Sequence, residues 1–180
     1  MKDIKINNNI ILAAGCFWCV EAIFKIFKGI TKVTPGYIGG ISKRPTYEEV
    51  CKGDSGHAEA VKIEYESDII TLDNILDIYF VIHDPTQLNR QGNDVGTQYR
   101  SALFYNDKGQ RKNILMALER AKALWGNSIV TEVNFNLSFY AAEQYHKDYS
   151  NKNPNSGYCQ IVINPKLEKV KSAFFSMLKI

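Results

Sequence analysis

The sequence predicts an α+β protein in which helices pack against one mixed β-sheet. Two observations predict this class. Short apolar runs of strand length alternate along the chain with segments in which apolar residues recur every three or four positions. The strand-like runs are few, and connections of very uneven length separate them, which argues against a regular series of strand-helix-strand units.

The first half of the chain begins with a strand and a helix that meet at a glycine. The apolar run at residues 10–14 ends at Gly15, which indicates a buried strand. Beyond it the apolar spacing changes to three and four, which predicts a helix that ends before Gly29. The other elements predicted in this half are a strand at residues 32–37, a short helix at 46–52, a strand at 57–66 and a helix at 71–83.

The second half contains two long polar segments, residues 84–99 and 151–157. The first is rich in Asn, Gln and Gly and has no periodicity, and a loop of that length in a compact domain is usually functional. We expect a strand at residues 101–105, a helix at 107–125, a strand at 129–135 and a final helix at 165–178. The predicted fold class is therefore α+β: a single domain covering residues 1–180, built as a two-layer sandwich with a ferredoxin-like core and long irregular loops.

The charge and hydropathy patterns argue against several classes of function. The net charge is only +3 and the lysines are spread along the chain, which disfavours nucleic-acid binding. No segment approaches the roughly 20 consecutive apolar residues of a membrane span, and the N-terminal apolar stretch is too short and too interrupted by Asn for a signal peptide. We therefore expect a cytoplasmic protein whose four cysteines are reactive or buried thiols rather than structural disulfides.

The motif GCFWCVE, residues 15–21, places two cysteines at the junction of the first strand and the first helix. A free cysteine at such a junction is often only a core residue. The first turn of a helix, however, has unpaired amide groups and the positive end of the helix dipole, which lower the pKa of a thiol. Cys16 is therefore a candidate nucleophile.

Two other chemistries remain open to Cys16 and Cys19. A structural zinc site needs four ligands, but the chain has no second CxxC motif and its three histidines are scattered. A dithiol switch needs an attacking thiol of low pKa and a neighbouring thiol, and CxxC at a helix start provides both. The dithiol hypothesis leaves the Phe-Trp pair and the polar loops unexplained.

Four motifs together resemble the peptide methionine sulfoxide reductases of the A type, which act on the S epimer. They are GCFWCVE, RPTYEEVCKGDSGHAEAVKIEYE, GNDVGTQYRSALFY and NPNSGYC, and they follow the family order from Gly15 to Cys159. The resemblance implies an oxidoreductase that reduces methionine S-sulfoxide in proteins, in peptides and as the free amino acid, for protein repair under oxidative stress. No phosphate loop, nucleotide fingerprint or metal triad is visible in the sequence, so we expect no bound cofactor and no metal, with thioredoxin or another dithiol as the electron donor. A monomer is the simplest expectation.

The resemblance also implies roles for the residues around the sulfoxide oxygen. Cys16 matches the nucleophile that attacks the sulfoxide sulfur and becomes a sulfenic acid. Glu59 matches the acid that protonates the oxygen, and its alanine and valine neighbours are suited to raise its pKa. Tyr47 and Tyr99 match two phenols that donate hydrogen bonds to the same oxygen.

Substrate binding and recycling are implied in the same way. Phe17 and Trp18 match an apolar wall for the methyl group, and Asp94 matches a residue of substrate recognition. Cys159 matches the resolving cysteine, on a stretch suited to move, and forms an intramolecular disulfide that thioredoxin reduces. Many members have Gly where this chain has Cys19, so Cys19 is an alternative resolving thiol or a relay.

Two further groups complete the expectations from the resemblance. We interpret Cys51 as a buried and inert thiol. The segment YAAEQYHKDY also resembles the family, and its residues Glu143, His146 and Asp148 are expected to form a scaffold that orients loops. The competing hypotheses are a general protein dithiol oxidoreductase that uses Cys16 and Cys19, and a zinc-binding module without enzymatic activity.

Overall fold

The structure, a computed structural model, describes residues 8–136 and 138–179. The strands in these ranges are β1 (Asn8–Ala14), β2 (Ile30–Ile38), β3 (Ala58–Tyr65), β4 (Arg90–Gln91), β5 (Asp94–Val95), β6 (Ser101–Tyr105), β7 (Glu132–Phe135) and β8 (Phe139–Ala141). The α-helices are α1 (Phe17–Lys25), α2 (Tyr47–Cys51), α3 (Leu72–Ile82), α4 (Lys108–Trp125), α5 (Tyr149–Lys152) and α6 (Asn164–Ala173). A π-helical turn, Cys159–Ile163, leads directly into α6.

Six of the strands form one mixed sheet in the order β7-β6-β1-β3-β2-β8. Neighbouring strands are antiparallel except β6 and β7, which are parallel. In this register Tyr37 of β2 lies opposite Glu59 of β3. Because β1 and β3 are neighbours at the centre of the sheet, the residues that follow β1 come close to the start of β3.

The central strands are buried on both faces, which explains why β1 has a continuous apolar run instead of an alternating one. On one face Leu12 belongs to a large core cluster with Phe24 of α1 and Leu76 of α3. On the other face Ile11 packs in a smaller cluster with Phe104. Full burial of side chains of this size stabilises the fold by roughly 1.5–3 kcal/mol each.

Threonines begin α2 and α3, as the sequence predicts. The Thr46 hydroxyl accepts a hydrogen bond from the Glu49 amide at 3.3 Å, and the Glu49 carboxylate accepts one from the Thr46 amide at 2.8 Å. Thr71 and Asn74 make the same reciprocal pair at the start of α3. Such capping boxes satisfy amides that the first helical turn leaves unpaired. They fix the position of Tyr47, the first residue of α2.

The structure confirms the α+β class, with helices packed on one mixed sheet, and differs from the expected elements in several places. The polar loop at residues 84–99 contains the β4-β5 hairpin and the 3-10 turn Thr97–Tyr99. The strand expected at residues 129–135 begins only at Glu132, as β7. The short strand β8 was not predicted. The final helix ends at Ala173. Elements of two to five residues contain too few positions for a period to be recognised in the sequence. Within the described residues no helix is both long and apolar enough to cross a membrane.

The turn between β1 and α1 predicts a measurable stability cost. Gly15 has φ of 88°, and a Cβ there would lie 2.7 Å from Cγ of Gln91. We expect Gly15→Ala to lower the free energy of unfolding by roughly 2–4 kcal/mol in urea denaturation, since it combines backbone strain with a steric clash. Gly92→Ala is the matched control, because Gly92 has φ of 61° and no atom within 4 Å of the added Cβ. Equal losses in the two variants would contradict the steric part of this prediction.

Candidate active site

Cys16 lies where β1 ends and α1 begins. It is the N-cap residue of α1, and its carbonyl oxygen accepts hydrogen bonds from the amides of Cys19 at 3.1 Å and Val20 at 3.3 Å. Its side chain is only 8% exposed. The hydrogen bonds at the start of the helix therefore fix the backbone of Cys16, and the residue is buried.

Glu59 brings a buried carboxyl group to the same helix start. It is only 1% exposed, and its Oε2 accepts a hydrogen bond from the Phe17 amide at 3.0 Å. Burial raises the pKa of Glu59 to about 8, although the hydrogen bond from Phe17 acts in the opposite direction. A carboxyl group with such a pKa is largely protonated at neutral pH and can act as a proton donor.

The two thiols of the CxxC motif differ in their pKa values. Burial raises the pKa of Cys16 well above its usual value, and a hydrogen bond that its thiol donates to Cys19 and the nearby Glu59 raise it further. That hydrogen bond lowers the pKa of Cys19. The expectation that the helix start would lower the pKa of Cys16 is therefore wrong for this structure. The physical reason is that Cys16 is buried, and burial disfavours the charged thiolate.

Tyr47 and Tyr99 carry the two phenols near Glu59. Burial raises the pKa of Tyr47, and a hydrogen bond to Cys51 and the charge of Glu59 add to the shift. Burial likewise raises the pKa of Tyr99, with the charges of Glu59 and Cys16 as the next causes. Both hydroxyls therefore keep their protons over the neutral range and can donate hydrogen bonds to an oxygen placed beside the carboxyl group.

Phe17 and Trp18 form an aromatic wall that other rings hold in place. Their ring centroids are 6.4 Å apart. The indole Nε1 of Trp18 donates a hydrogen bond to Nδ1 of His146 at 3.0 Å. Tyr149 stacks on the indole with a centroid distance of 3.7 Å and an interplanar angle of 6°. The hydrogen bond at its edge and the stacking on its face thus fix the orientation of the indole.

The segment that carries His146 is bound to the rest of the site by carboxylates. Glu143 accepts hydrogen bonds from the Tyr47 amide at 2.8 Å and from the Tyr37 hydroxyl at 2.8 Å. Glu21 of α1, only 2% exposed, accepts two from the Asp148 amide at 3.0 and 2.9 Å. These bonds connect α1, α2 and β2 to the segment that positions the aromatic wall.

The structure brings the three thiols at positions 16, 19 and 159 into one buried cluster. Cys19 is 2% exposed and Cys159 is 1% exposed, and all four cysteines of the chain are free thiols. The Tyr158 hydroxyl lies 3.6 Å from the sulfur of Cys19 and donates a hydrogen bond to Oδ2 of Asp94 at 2.8 Å. Asp94 is thereby linked to the segment of Cys159. Cys159 is the first residue of the π-helical turn instead of part of an irregular stretch.

Cys51 does not lie where it was expected. It is exposed at the end of α2 and is hydrogen-bonded to the hydroxyl of Tyr47, so the prediction of a buried thiol is wrong. The reason is that α2 is a single short helix in which Val50 alone is buried.

Over residues 8–136 and 138–179, no three His, Cys, Asp or Glu side chains are grouped so that they could hold a metal ion.

Three tyrosines that contact the site residues, but take no part in the proposed chemistry, were not identified from the sequence. Tyr37, Tyr149 and Tyr158 all contact predicted site residues. Ten tyrosines in the chain make single ones uninformative. Position along the chain was the available signal for Tyr158, which directly precedes Cys159, whereas the place of Tyr37 opposite Glu59 depends on the strand pairing.

Comparisons with known proteins agree on one family. The family model described as peptide methionine sulfoxide reductase matches residues 8–178. The peptide methionine sulfoxide reductase MsrA of Arthrobacter sp. (strain FB24) is 48% identical over 168 residues, which cover 93% of this chain and 97% of the relative.

Among solved structures, Mxr1 from Saccharomyces cerevisiae in reduced form matches with a TM-score of 0.82 and 36% identity, covering 88% of this chain and 92% of that chain. Mxr1 in complex with Trx2 matches with a TM-score of 0.60 and 27% identity, over 83% of this chain and 88% of that chain.

The hydrogen bond between Trp18 and His146 predicts a change in the environment of the indole. His146→Phe keeps a ring in the cluster but removes the acceptor, so the indole N–H loses its partner. We expect a loss of roughly 1–3 kcal/mol in the free energy of unfolding and stronger acrylamide quenching of Trp18 fluorescence, measured with Trp125→Phe so that Trp18 is the only tryptophan. His146→Gln, which retains an acceptor, is the control and should recover part of both effects. Unchanged quenching in His146→Phe would show that the bond does not hold the indole.

Proposed function

The chain belongs to the peptide methionine sulfoxide reductase family and reduces methionine sulfoxide to methionine, and we propose that it acts on the S epimer with Cys16 as the nucleophile. The buried carboxyl group of Glu59 supports these roles most strongly. It is hydrogen-bonded to the amide of Phe17, the residue that follows Cys16 in the chain. A thiol and a protonated carboxyl group side by side are what reduction of a sulfoxide needs. The sulfur must be attacked while its oxygen is protonated.

The first step transfers the sulfoxide oxygen to Cys16. The sulfur of Cys16 attacks the sulfoxide sulfur as Glu59 protonates the oxygen, and Tyr47 and Tyr99 donate hydrogen bonds to that oxygen. Two electrons pass from the Cys16 sulfur to the methionine sulfur, and methionine leaves. The hydroxyl group moves from the methionine sulfur to the Cys16 sulfur as the bond between the two sulfurs breaks, which leaves Cys16 as a sulfenic acid, and the thiol proton restores the carboxyl group of Glu59. The raised pKa of Glu59 supports its role as the acid.

The aromatic wall binds the methyl group of the substrate. Phe17 is 1% exposed and the indole of Trp18 is held by His146 and Tyr149, so the wall keeps its shape without a substrate. A methyl group on a polarised sulfur makes favourable contacts with aromatic rings. A slot of methyl size on one side of Cys16 also distinguishes the two sulfoxide epimers, because the larger side chain of the wrong epimer would have to enter it. Asp94 recognises the peptide part of the substrate.

A second thiol then converts the sulfenic acid into a disulfide. Cys159 is the proposed resolving thiol, and its burial in one cluster with Cys16 supports this role. Cys19 is the alternative, because the hydrogen bond from Cys16 lowers its pKa and so favours the thiolate, the form that attacks. Its place one turn along the same helix requires that the helix start distort before the two sulfurs can bond.

The electrons for recycling come from a dithiol protein of the thioredoxin type. The match to Mxr1 crystallised with Trx2 supports this reductant. No bound cofactor takes part, because two thiol equivalents balance the reaction: one molecule of methionine sulfoxide consumes one dithiol and releases one water. The substrates are proteins and peptides that contain methionine sulfoxide, with the free amino acid as a weaker one.

The organisation of the chain is part of the same proposal. One domain covers residues 1–180, with a ferredoxin-like core. The antiparallel order β6-β1-β3-β2, in which α1 and α3 are the crossover helices, supports that core. In this proposal the domain is a monomer in the cytoplasm.

The protonation of Glu59 predicts the pH dependence of the reductive step. The carboxyl group is protonated below a pKa of about 8 and loses its proton above it, so the single-turnover rate should fall as the pH rises through about 8. Glu59→Gln should slow this step by roughly 10²- to 10⁴-fold and remove that decline. Glu64→Gln, in the same strand β3, is the control and should keep the wild-type profile. A wild-type decline that persists in Glu59→Gln would exclude Glu59 as the acid.

The identity of the resolving thiol can be measured by counting products. Reduced wild type, Cys19→Ser and Cys159→Ser each receive one equivalent of a peptide S-sulfoxide without reductant. Each should form about one methionine, but only Cys159→Ser should fail to lose two thiols, with Cys51→Ser as a control that behaves like wild type. Failure of Cys19→Ser instead would make Cys19 the resolving thiol. If wild type forms no methionine, the reductase function is refuted and the dithiol hypothesis for Cys16 and Cys19 takes its place.

A further inference from the structure

A groove of about 600 Å³ lies beside the thiol cluster, between the tip of the β4-β5 hairpin and the segment that carries Cys159. Gly92 and Asp94 line it from the hairpin, and Tyr158, Ile161, Pro165 and Lys166 line it from the other side. Its volume is in the range of pockets that bind small ligands or a few side chains.

The groove is continuous with the proposed methionine site through Tyr158. The hydroxyl of Tyr158 donates to Asp94, which lines the groove, and lies 3.6 Å from the sulfur of Cys19 in the thiol cluster. The ring of Tyr158 also packs edge-on against Trp18, with a centroid distance of 5.7 Å. The groove therefore begins next to the thiol cluster, so a peptide whose sulfoxide reaches Cys16 can extend past Tyr158 into it.

The lining of the groove has one apolar and one cationic part. Ile161 is 78% exposed, so its side chain leaves apolar surface in the groove for an occupant to cover. Lys166 makes no ion pair with any residue in the described ranges. Its positive charge contributes to lowering the pKa of Cys19. Asp94, the acidic residue of the lining, already accepts a hydrogen bond from Tyr158. The groove therefore offers an apolar contact and a free cation to whatever enters it.

We propose that this groove is a subsite for the residues that flank methionine sulfoxide in a peptide, and that it favours apolar and acidic flanking side chains over basic ones. The inference rests on the proposed function, since it places the peptide by its sulfoxide at Cys16. An apolar flanking side chain covers Ile161 and Pro165, and a carboxylate pairs with Lys166. Repulsion from Lys166 disfavours a flanking lysine or arginine.

The test uses one host peptide, Gly-Gly-methionine S-sulfoxide-Gly-Gly with blocked ends, in which both neighbours of the sulfoxide are changed to Leu, Glu or Lys. N-acetylmethionine sulfoxide methylamide is the reference substrate, because it is too short to enter the groove. With dithiothreitol as reductant, kcat/KM of wild type for the Leu and Glu peptides should exceed that for the Lys peptide by about 3- to 10-fold.

Two substitutions should change this discrimination in different ways. Lys166→Glu should invert the order of the Glu and Lys peptides, and Ile161→Asn should reduce only the advantage of the Leu peptide. Each value is taken relative to the methylamide, so a general change in activity cancels. Lys169→Glu is the matched control, because it changes the same charge on the same helix at a residue that does not line the groove. It should leave the order of the peptides as in wild type.

Three outcomes would overturn the inference. Equal kcat/KM for all three peptides in wild type would show that the groove does not contact the substrate. An unchanged peptide order in Lys166→Glu would show that this lysine does not select the flanking charge. If the variants instead raise the KM for thioredoxin and leave the peptide order intact, the groove binds the reductant. Reduction of the methylamide separates these results from a failure of the proposed function, in which the methylamide itself would not be reduced.

Discussion

The hydrogen bond from the Phe17 amide to the buried carboxyl of Glu59 is the contact on which the rest of the site depends. It forms because β1 and β3 are neighbours in the sheet and Gly15 turns the chain so that α1 starts above β3. Burial determines the protonation states: it raises the pKa of Glu59 against the opposing effect of this bond, and it also raises the pKa of Cys16. The site in this state holds an acid and a protonated nucleophile, and a sulfoxide whose oxygen accepts the proton of Glu59 becomes the stronger electrophile that such a thiol needs.

A set of hydrogen bonds from the segment at residues 143–149 holds the remaining groups of the site. Glu143 fixes the start of α2 and with it Tyr47, His146 fixes the indole of Trp18, and the Asp148 amide is held by Glu21 of α1. Glu143 and His146 thus each act on a group that touches the substrate in the proposed mechanism, and Glu21 anchors their segment to α1. The aromatic wall and the phenols are therefore preorganised by a segment that itself contributes few reacting groups.

The sequence was sufficient for the fold class and for most elements, because the central strands and α1 have long, clear apolar patterns. It was also sufficient to nominate Cys16, but Glu59 and Tyr47 could be chosen only through the resemblance of whole motifs, since a single Glu in a strand or a single Tyr is usually structural. Short elements such as β8 were not predictable from a period. The sequence did not predict which of Cys16 and Cys19 has the lower pKa, because that order depends on which thiol receives the hydrogen bond between them. The prediction that Cys51 is buried was wrong, because little of α2 is covered by other parts of the fold.

The central claim is that Glu59 carries a proton at neutral pH in the resting protein. Difference infrared spectroscopy tests this directly, by comparing the carbonyl stretch of protonated carboxyl groups in wild type and in Glu59→Gln over a pH series. The account predicts a protonated-carboxyl band that is absent from Glu59→Gln and that disappears in wild type with a midpoint at about pH 8. A midpoint near the ordinary carboxyl value of 4.5 would contradict it, because Glu59 would then be ionised in the resting site and could not protonate the sulfoxide oxygen.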